Sequence, residues 1–238
     1  GYIESFTREW NTLERQGFGN KTNSTKTLTH IHVLEAYTSL YKVWKDSDLR
    51  ERLGKLIDIL TTYLYDSHTH HLIPSCDSDW NSLDDMVSYG HDIEASWLLM
   101  EAAKTLADSQ VFDKCKEVAL GLVDASLKEG INVATGAMMY ERHGSSIRSY
   151  YSWWCQAETV VGCINAWLLT GKKSYLDSAL HTWSFIKAKI IDREYGEWFR
   201  TVSAEGIPRY NEPKANVWNC PYHNCRMGFM IDKWISKE

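Results

Sequence analysis

Two histidines in this chain stand where they could pass a proton. His91 lies in Tyr89-Gly90-His91-Asp92-Ile93-Glu94, and Glu94, three residues on, shares its face if the segment is helical. That spacing suits an imidazole base oriented and made more basic by a carboxylate. His223 lies in Trp218-Asn219-Cys220-Pro221-Tyr222-His223-Asn224, an aromatic stretch whose backbone is stiffened by Pro221. Two opposed imidazoles that titrate near neutral pH fit a proton transfer beside a carbonyl. One takes the acidic proton and the other returns one to the opposite face. No cofactor is needed if the carbonyl oxygen is polarised as the enediolate forms.

Metal chemistry fits the remaining histidines poorly. His68-Thr69-His70-His71 is dense but follows a helical pattern and precedes Pro74, which reads as a solvated loop. His30 and His32, two apart, would point in different directions on a helix and could not easily share an ion. The expectation is no metal and no cofactor.

The elements that must position these groups are helices. Apolar periodicity predicts them over Thr29–Trp44, Ser47–Tyr65, Gly90–Ala107, Val111–Lys128, Trp153–Leu169, Ser174–Ile191 and Asn224–Ile235. Ser47 is the expected N-cap of the second, with Asp48 as its first-turn acid. Gly171 occupies a position that wants a left-handed residue. Residues 134–152 and 193–223 lack a helical period and read as loops or short hairpins.

The helices come in repeating pairs. His32-Val33-Leu34-Glu35-Ala36, His91-Asp92-Ile93-Glu94-Ala95 and Cys155-Gln156-Ala157-Glu158-Thr159 place glutamates 59 and 64 residues apart. Each opens an apolar helix followed by a more charged one. Alternating inner and outer helices build an (α/α) toroid or solenoid. The expected fold class is therefore all-α, an (α/α)6-barrel type toroid that is incomplete, with about seven helices in a single domain over 1–238. Parallel inner helices would bring their N-termini together. The residues meeting there would be Thr29, His30 and His32, then Tyr89, Gly90, His91 and Glu94, then Trp153, Trp154 and Gln156, with the 218–224 cluster.

Composition narrows the partner. A net charge of −5 lacks the basic stripe a nucleic-acid backbone requires. No run approaches the ~20 apolar residues of a membrane helix. Eleven tryptophans and 13 tyrosines are the compositional oddity: most read as core residues, but flat rings also stack on sugars. Six scattered cysteines form no C-x-x-C pair, so Cys155 and Cys163 read as small buried hydrophobes and the compartment as reducing and cytoplasmic.

Thr29-His30-Ile31-His32-Val33-Leu34-Glu35-Ala36-Tyr37, Ser88-Tyr89-Gly90-His91-Asp92-Ile93-Glu94-Ala95-Ser96-Trp97 and Trp218-Asn219-Cys220-Pro221-Tyr222-His223-Asn224 resemble signature stretches of the cellobiose 2-epimerases, which belong with the N-acylglucosamine 2-epimerases. Gly196-Glu197-Trp198-Phe199 and Trp153-Trp154-Cys155-Gln156-Ala157-Glu158 are similar to the same family. The resemblance implies an (α/α)6 barrel and a reversible C2 epimerisation of the reducing-end glucose in a β-1,4-linked disaccharide. It implies His91 and His223 as the acid/base pair and His32 as the histidine near O1 and O5. Glu94 would be the carboxylate beside the base, and Trp154 and Trp218 the stacking residues.

The chain departs from the family pattern in three places. Leu28 replaces an Asn, Cys155 a Pro, and Thr135-Gly136-Ala137 an Asp-Gly-Gly stretch. Family members are also longer, with twelve barrel helices, so the chain reads as the C-terminal portion of the family fold without the arginine that early helices contribute. The neighbouring activities are mannose isomerisation and N-acylglucosamine epimerisation. A sugar-binding fragment without turnover is the alternative from another class. A glycoside hydrolase would need a pair of acid/base carboxylates that the sequence does not offer.

Overall fold

The computed structural model describes residues 1–3, 5–11, 13, 25–217, 219 and 221–236, and only the backbone of 25–28. Among them are seven α-helices: α1 Thr27–Val43, α2 Ser47–Thr62, α3 Tyr89–Leu106, α4 Ser109–Glu129, α5 Trp153–Thr170, α6 Lys173–Phe185 and α7 His223–Ile235. All seven fall where the apolar period predicts them. α6 loosens into a π-helical turn at Ile186–Ile190 rather than continuing as regular helix. No described helix is long and apolar enough to cross a membrane.

Packing divides the chain into two compact units, residues 1–87 with 98–122, and residues 88–97 with 123–238. In the first unit α1 packs on α2. Leu49, Leu53, Leu56, Ile57 and Leu60 of α2 are buried, each contributing about 1.5–3 kcal/mol of hydrophobic stabilisation. The N-cap of α2 is Asp46, not Ser47. Asp46 has extended backbone and its carboxylate accepts the Leu49 N–H at 2.9 Å. A charged oxygen suits a helix N-terminus better than a hydroxyl, so Ser47 becomes the first helical residue.

In the second unit α5 packs on both α6 and α7. Residues Cys155 through Ala166 of α5 are all buried, as its apolar surface on every side requires. Gly171 ends the helix at φ 70°, its N–H bonded to the Trp167 carbonyl. The edges differ. α1 leaves Leu40 and Val43 exposed in the first unit, and α7 leaves Phe229 and Ile235 exposed in the second.

The even-numbered helices are each followed by the same small turn. Asp66, Asn132 and Asp192 use side-chain oxygens to accept the N–H two residues on, from His68, Ala134 and Glu194. Four residues after each comes a left-handed residue, His70, Gly136 or Gly196. Antiparallel pairing then closes the turn: Tyr65 with Leu72, Ile131 with Met138, and Ile191 with Trp198. His68 and His70 are thus exposed turn residues as expected, but His71 is buried in the returning strand.

In the second unit these turns hold helix starts. The Gln156 amide makes two bonds to the Met138 main chain, accepting its N–H and donating to its carbonyl, both at 2.8 Å. Asn224 at the start of α7 donates to Glu197 Oε1 at 2.7 Å.

Candidate functional site

The second unit brings the starts of α3, α5 and α7 together. The Trp154 ring centroid lies 4.7 Å from that of His91 and 5.5 Å from that of His223. The two imidazoles can therefore be no farther apart than those two lengths end to end. They share one indole although 132 residues separate them in sequence. Trp153 adds an edge contact to His223 at 5.2 Å, and Tyr140 one to Trp154 at 6.2 Å.

Each imidazole is held at Nδ1 by a different partner. Ser88 Oγ lies 2.6 Å from His91 Nδ1. Glu158 Oε1 lies 2.7 Å from His223 Nδ1. Burial alone would raise the Glu158 carboxyl, but the Arg226 charge and the hydrogen bonds from His223 and Arg226 outweigh it. Glu158 is held below the ordinary glutamate range. An ionised carboxylate can only accept, so the proton between them sits on His223 Nδ1.

Behind His223 lies a buried charge cluster. Arg226, on the same face of α7 as His223, donates from Nη2 to Glu94 Oε1 at 2.6 Å and to Glu158 Oε1 at 2.7 Å. Both carboxylates are 1% exposed and the guanidinium 11%. The Trp97 indole N–H donates to Glu158 Oε2 at 2.7 Å, filling the second oxygen. The Trp97 and Tyr222 rings flank the guanidinium, 4.9 and 4.4 Å from its central carbon. Glu94, Glu158 and His223 have spacing at which side chains can hold a metal ion, but here a guanidinium already bridges the two carboxylates.

The site residues expected from sequence are distributed as follows. His91, Glu94, Trp154 and His223 converge in the second unit. Glu94 does not stand alone beside His91. It joins the Arg226 cluster and lies 3.9 Å from His223 Nδ1, while Ser88 takes His91 Nδ1. His32 belongs to the first unit, where its side chain is 45% exposed and 3.9 Å from Glu35. His30, by contrast, is fully buried and accepts the Tyr2 N–H at 3.0 Å, so the two histidines do point in different directions. Trp218 and Cys220 lie outside the described residues.

Two residues escape a motif search: Glu158 and Arg226. Glu158 occupies the repeat position of Glu94 in the next inner helix, a signal already present in the 64-residue spacing. Arg226 is marked only by its place three residues after His223.

The profile of the N-acylglucosamine 2-epimerase (GlcNAc 2-epimerase) family matches residues 3–225. A cellobiose 2-epimerase of Bacteroides fragilis is 43% identical over 231 residues, covering 95% of this chain and 58% of its own length. One from Dictyoglomus turgidum is 34% identical, covering 99% and 60%. The crystal structure of a sugar epimerase from a ruminal bacterium superposes with a TM-score of 0.92 at 32% identity, over 97% of this chain and 60% of that one. The chain thus spans about three fifths of the length of these relatives. Its fold class is all-α, of the (α/α)6-barrel type found in cellobiose 2-epimerases. The chain belongs to the N-acylglucosamine 2-epimerase family.

Proposed function

We propose that this chain carries the proton-transfer site of a carbohydrate 2-epimerase acting on a cellobiose-like disaccharide. The observation that carries the reading is the pair of imidazoles on one indole, each fixed at Nδ1. With Nδ1 engaged, proton transfer falls to Nε2 of each ring. The sugar enters as its open-chain aldose, with Trp154 and Trp218 as stacking faces. One histidine removes the C2 proton, and the C2–H electrons form the C1=C2 bond of an enediolate. The second donates a proton to the opposite face of C2, and the C1 carbonyl returns. Glucose becomes mannose at the reducing end, and the two histidines exchange protonation states.

The pairing supports this reading over a glycoside hydrolase. Glu94 and Glu158, the buried carboxylates of this cluster, are both engaged by Arg226, which ill suits either as a water-activating base or a leaving-group acid. The free cysteines Cys76, Cys115, Cys155, Cys163 and Cys225 support a reducing compartment such as the cytoplasm.

The test is incubation with cellobiose in deuterated water, followed by NMR and product analysis. Epimerisation places deuterium at C2 and yields the mannose epimer, whereas H91A and H223A remain folded and yield neither. Sugar binding without label would establish a non-catalytic module. A ketose product from mannose, or turnover of N-acetylglucosamine in preference to cellobiose, would move the assignment to those activities. Full turnover in either histidine variant would overturn the mechanism.

A further inference from the structure

We propose that Arg226 is a positioning residue of the proton-transfer machinery: by bridging Glu94 and Glu158 it holds the Glu158 carboxylate on Nδ1 of His223. The proposal deepens the epimerase reading and rests on it for its kinetic consequences. Nothing in the resemblance or the family match assigns this side chain a role.

The cluster poses an electrostatic problem that Arg226 resolves. Glu94 from α3 and Glu158 from α5 are each 1% exposed, and their oxygens lie within 4.8 Å of one another and of the His223 ring nitrogen. Two carboxylates that close and that buried cannot both stay ionised unaided, and one would take up a proton. Arg226 Nη2 donates to both, at 2.6 and 2.7 Å, and its bond to Glu158 ends on the same oxygen that faces His223. The guanidinium is itself fixed between the Trp97 and Tyr222 rings and by a bond to the Tyr222 hydroxyl.

The charged and titratable groups around Glu158 are therefore Glu94 from α3, Cys155 of its own helix, and His223 and Arg226 from α7. Removing the Arg226 guanidinium would let a proton settle on the carboxylate pair. A protonated Glu158 no longer balances an imidazolium, and His223 loses the partner that selects its Nδ1–H tautomer.

The experiment compares the full chain with R226M, R226K and the double variant R226M/E94Q. Two readouts are taken: nitrogen-15 NMR of the His223 ring, and the rate of C2 deuteration of cellobiose as a function of pH. In the native chain, neutral His223 should carry its proton on Nδ1. In R226M the Nε2–H tautomer should appear, kcat should fall about 10²-fold with KM little changed, and the acid limb of the profile should move to higher pH. R226K, which keeps the charge, should hold the limb in place. R226M/E94Q, which removes the competing carboxylate, should regain about tenfold over R226M.

A folded R226M whose His223 tautomer and titration match the native chain would overturn the proposal. So would a loss of rate that follows the folded fraction alone and is not relieved by E94Q. Should R226M fail to fold, R226K and R226M/E94Q decide: the proposal is overturned if R226K moves the acid limb, or if R226M/E94Q folds with His223 in the Nε2–H tautomer. A native chain that never labels C2 refutes the epimerase reading, while the tautomer measurement still judges Arg226.

Discussion

His223 Nδ1 faces Glu158 Oε1 at 2.7 Å, whereas His91 Nδ1 faces the Ser88 hydroxyl at 2.6 Å. The two imidazoles of the site are thus unequally supported. A carboxylate stabilises an imidazolium by charge, while a hydroxyl fixes only the tautomer. E158Q keeps the shape but removes the charge, and steady-state turnover of cellobiose should fall by about 10³-fold or more. S88A should lower it by about tenfold, the usual effect of losing an orienting partner behind a functional histidine. Equal losses in the two variants would contradict the asymmetry.

The same carboxylate makes stability sensitive to acid. Glu158 titrates below the ordinary glutamate value of about 4.3 in the folded chain and near it when unfolded. Between the two values the unfolded chain binds more protons, so stability falls as pH drops through that window. The contribution is complete above it. Urea midpoints should show E158Q less stable than the native chain at neutral pH by roughly 1.5–3 kcal/mol, the worth of hydrogen bonds to charged groups. The gap should close as pH falls below about 4. A gap that stays constant from pH 7 to pH 3 would assign the loss to packing instead.

What the sequence discloses follows from what repeats in it. The seven helices are legible because apolar residues recur at helical spacing through fully covered segments such as α5. The cap at Asp46 is missed because Asp46, Ser47 and Asp48 are all cap formers and only backbone geometry chooses among them. The turn that follows α2, α4 and α6 is hidden because His70 takes the left-handed position that Gly136 and Gly196 fill in the other two copies. Of the site, His91 and His223 are legible as chemistry-bearing residues in aromatic settings. Glu94 is legible as a buried carboxylate but not as a partner of Arg226, since that bond spans 132 residues.

Gly90 tests how closely the indole between the histidines is packed. A Cβ there would meet Trp154 Cη2 at 2.5 Å and Cys155 Sγ at 2.6 Å. Alanine is favoured over glycine in a helix by about 1 kcal/mol, but overpacking costs about 1–3 kcal/mol, so G90A should be destabilised. Because the displaced ring is Trp154, turnover should fall more than stability does. The control is G54A in α2, where nothing lies within 4 Å and alanine should raise the melting temperature. A G90A protein with native melting and native turnover would show that Trp154 has room to move.

Thiol reactivity offers a check that does not depend on activity. Burial pushes the Cys76 thiol up to about 11 and those of Cys115 and Cys163 up to about 12. Cys155, fully enclosed and close to the Glu158 and Glu94 carboxylates, is likewise raised well above the ordinary thiol value. The thiolate is the reactive form, so these four should resist alkylation at neutral pH. Cys225 is exposed on α7, two residues from His223. Brief iodoacetamide treatment followed by peptide mass mapping should therefore find Cys225 modified in the folded chain. The other four should be modified only after denaturant is added. Rapid labelling of Cys155 without denaturant would mean that the start of α5 opens in solution. The Trp154 platform that the next residue depends on would then not be the rigid surface on which both imidazoles rest.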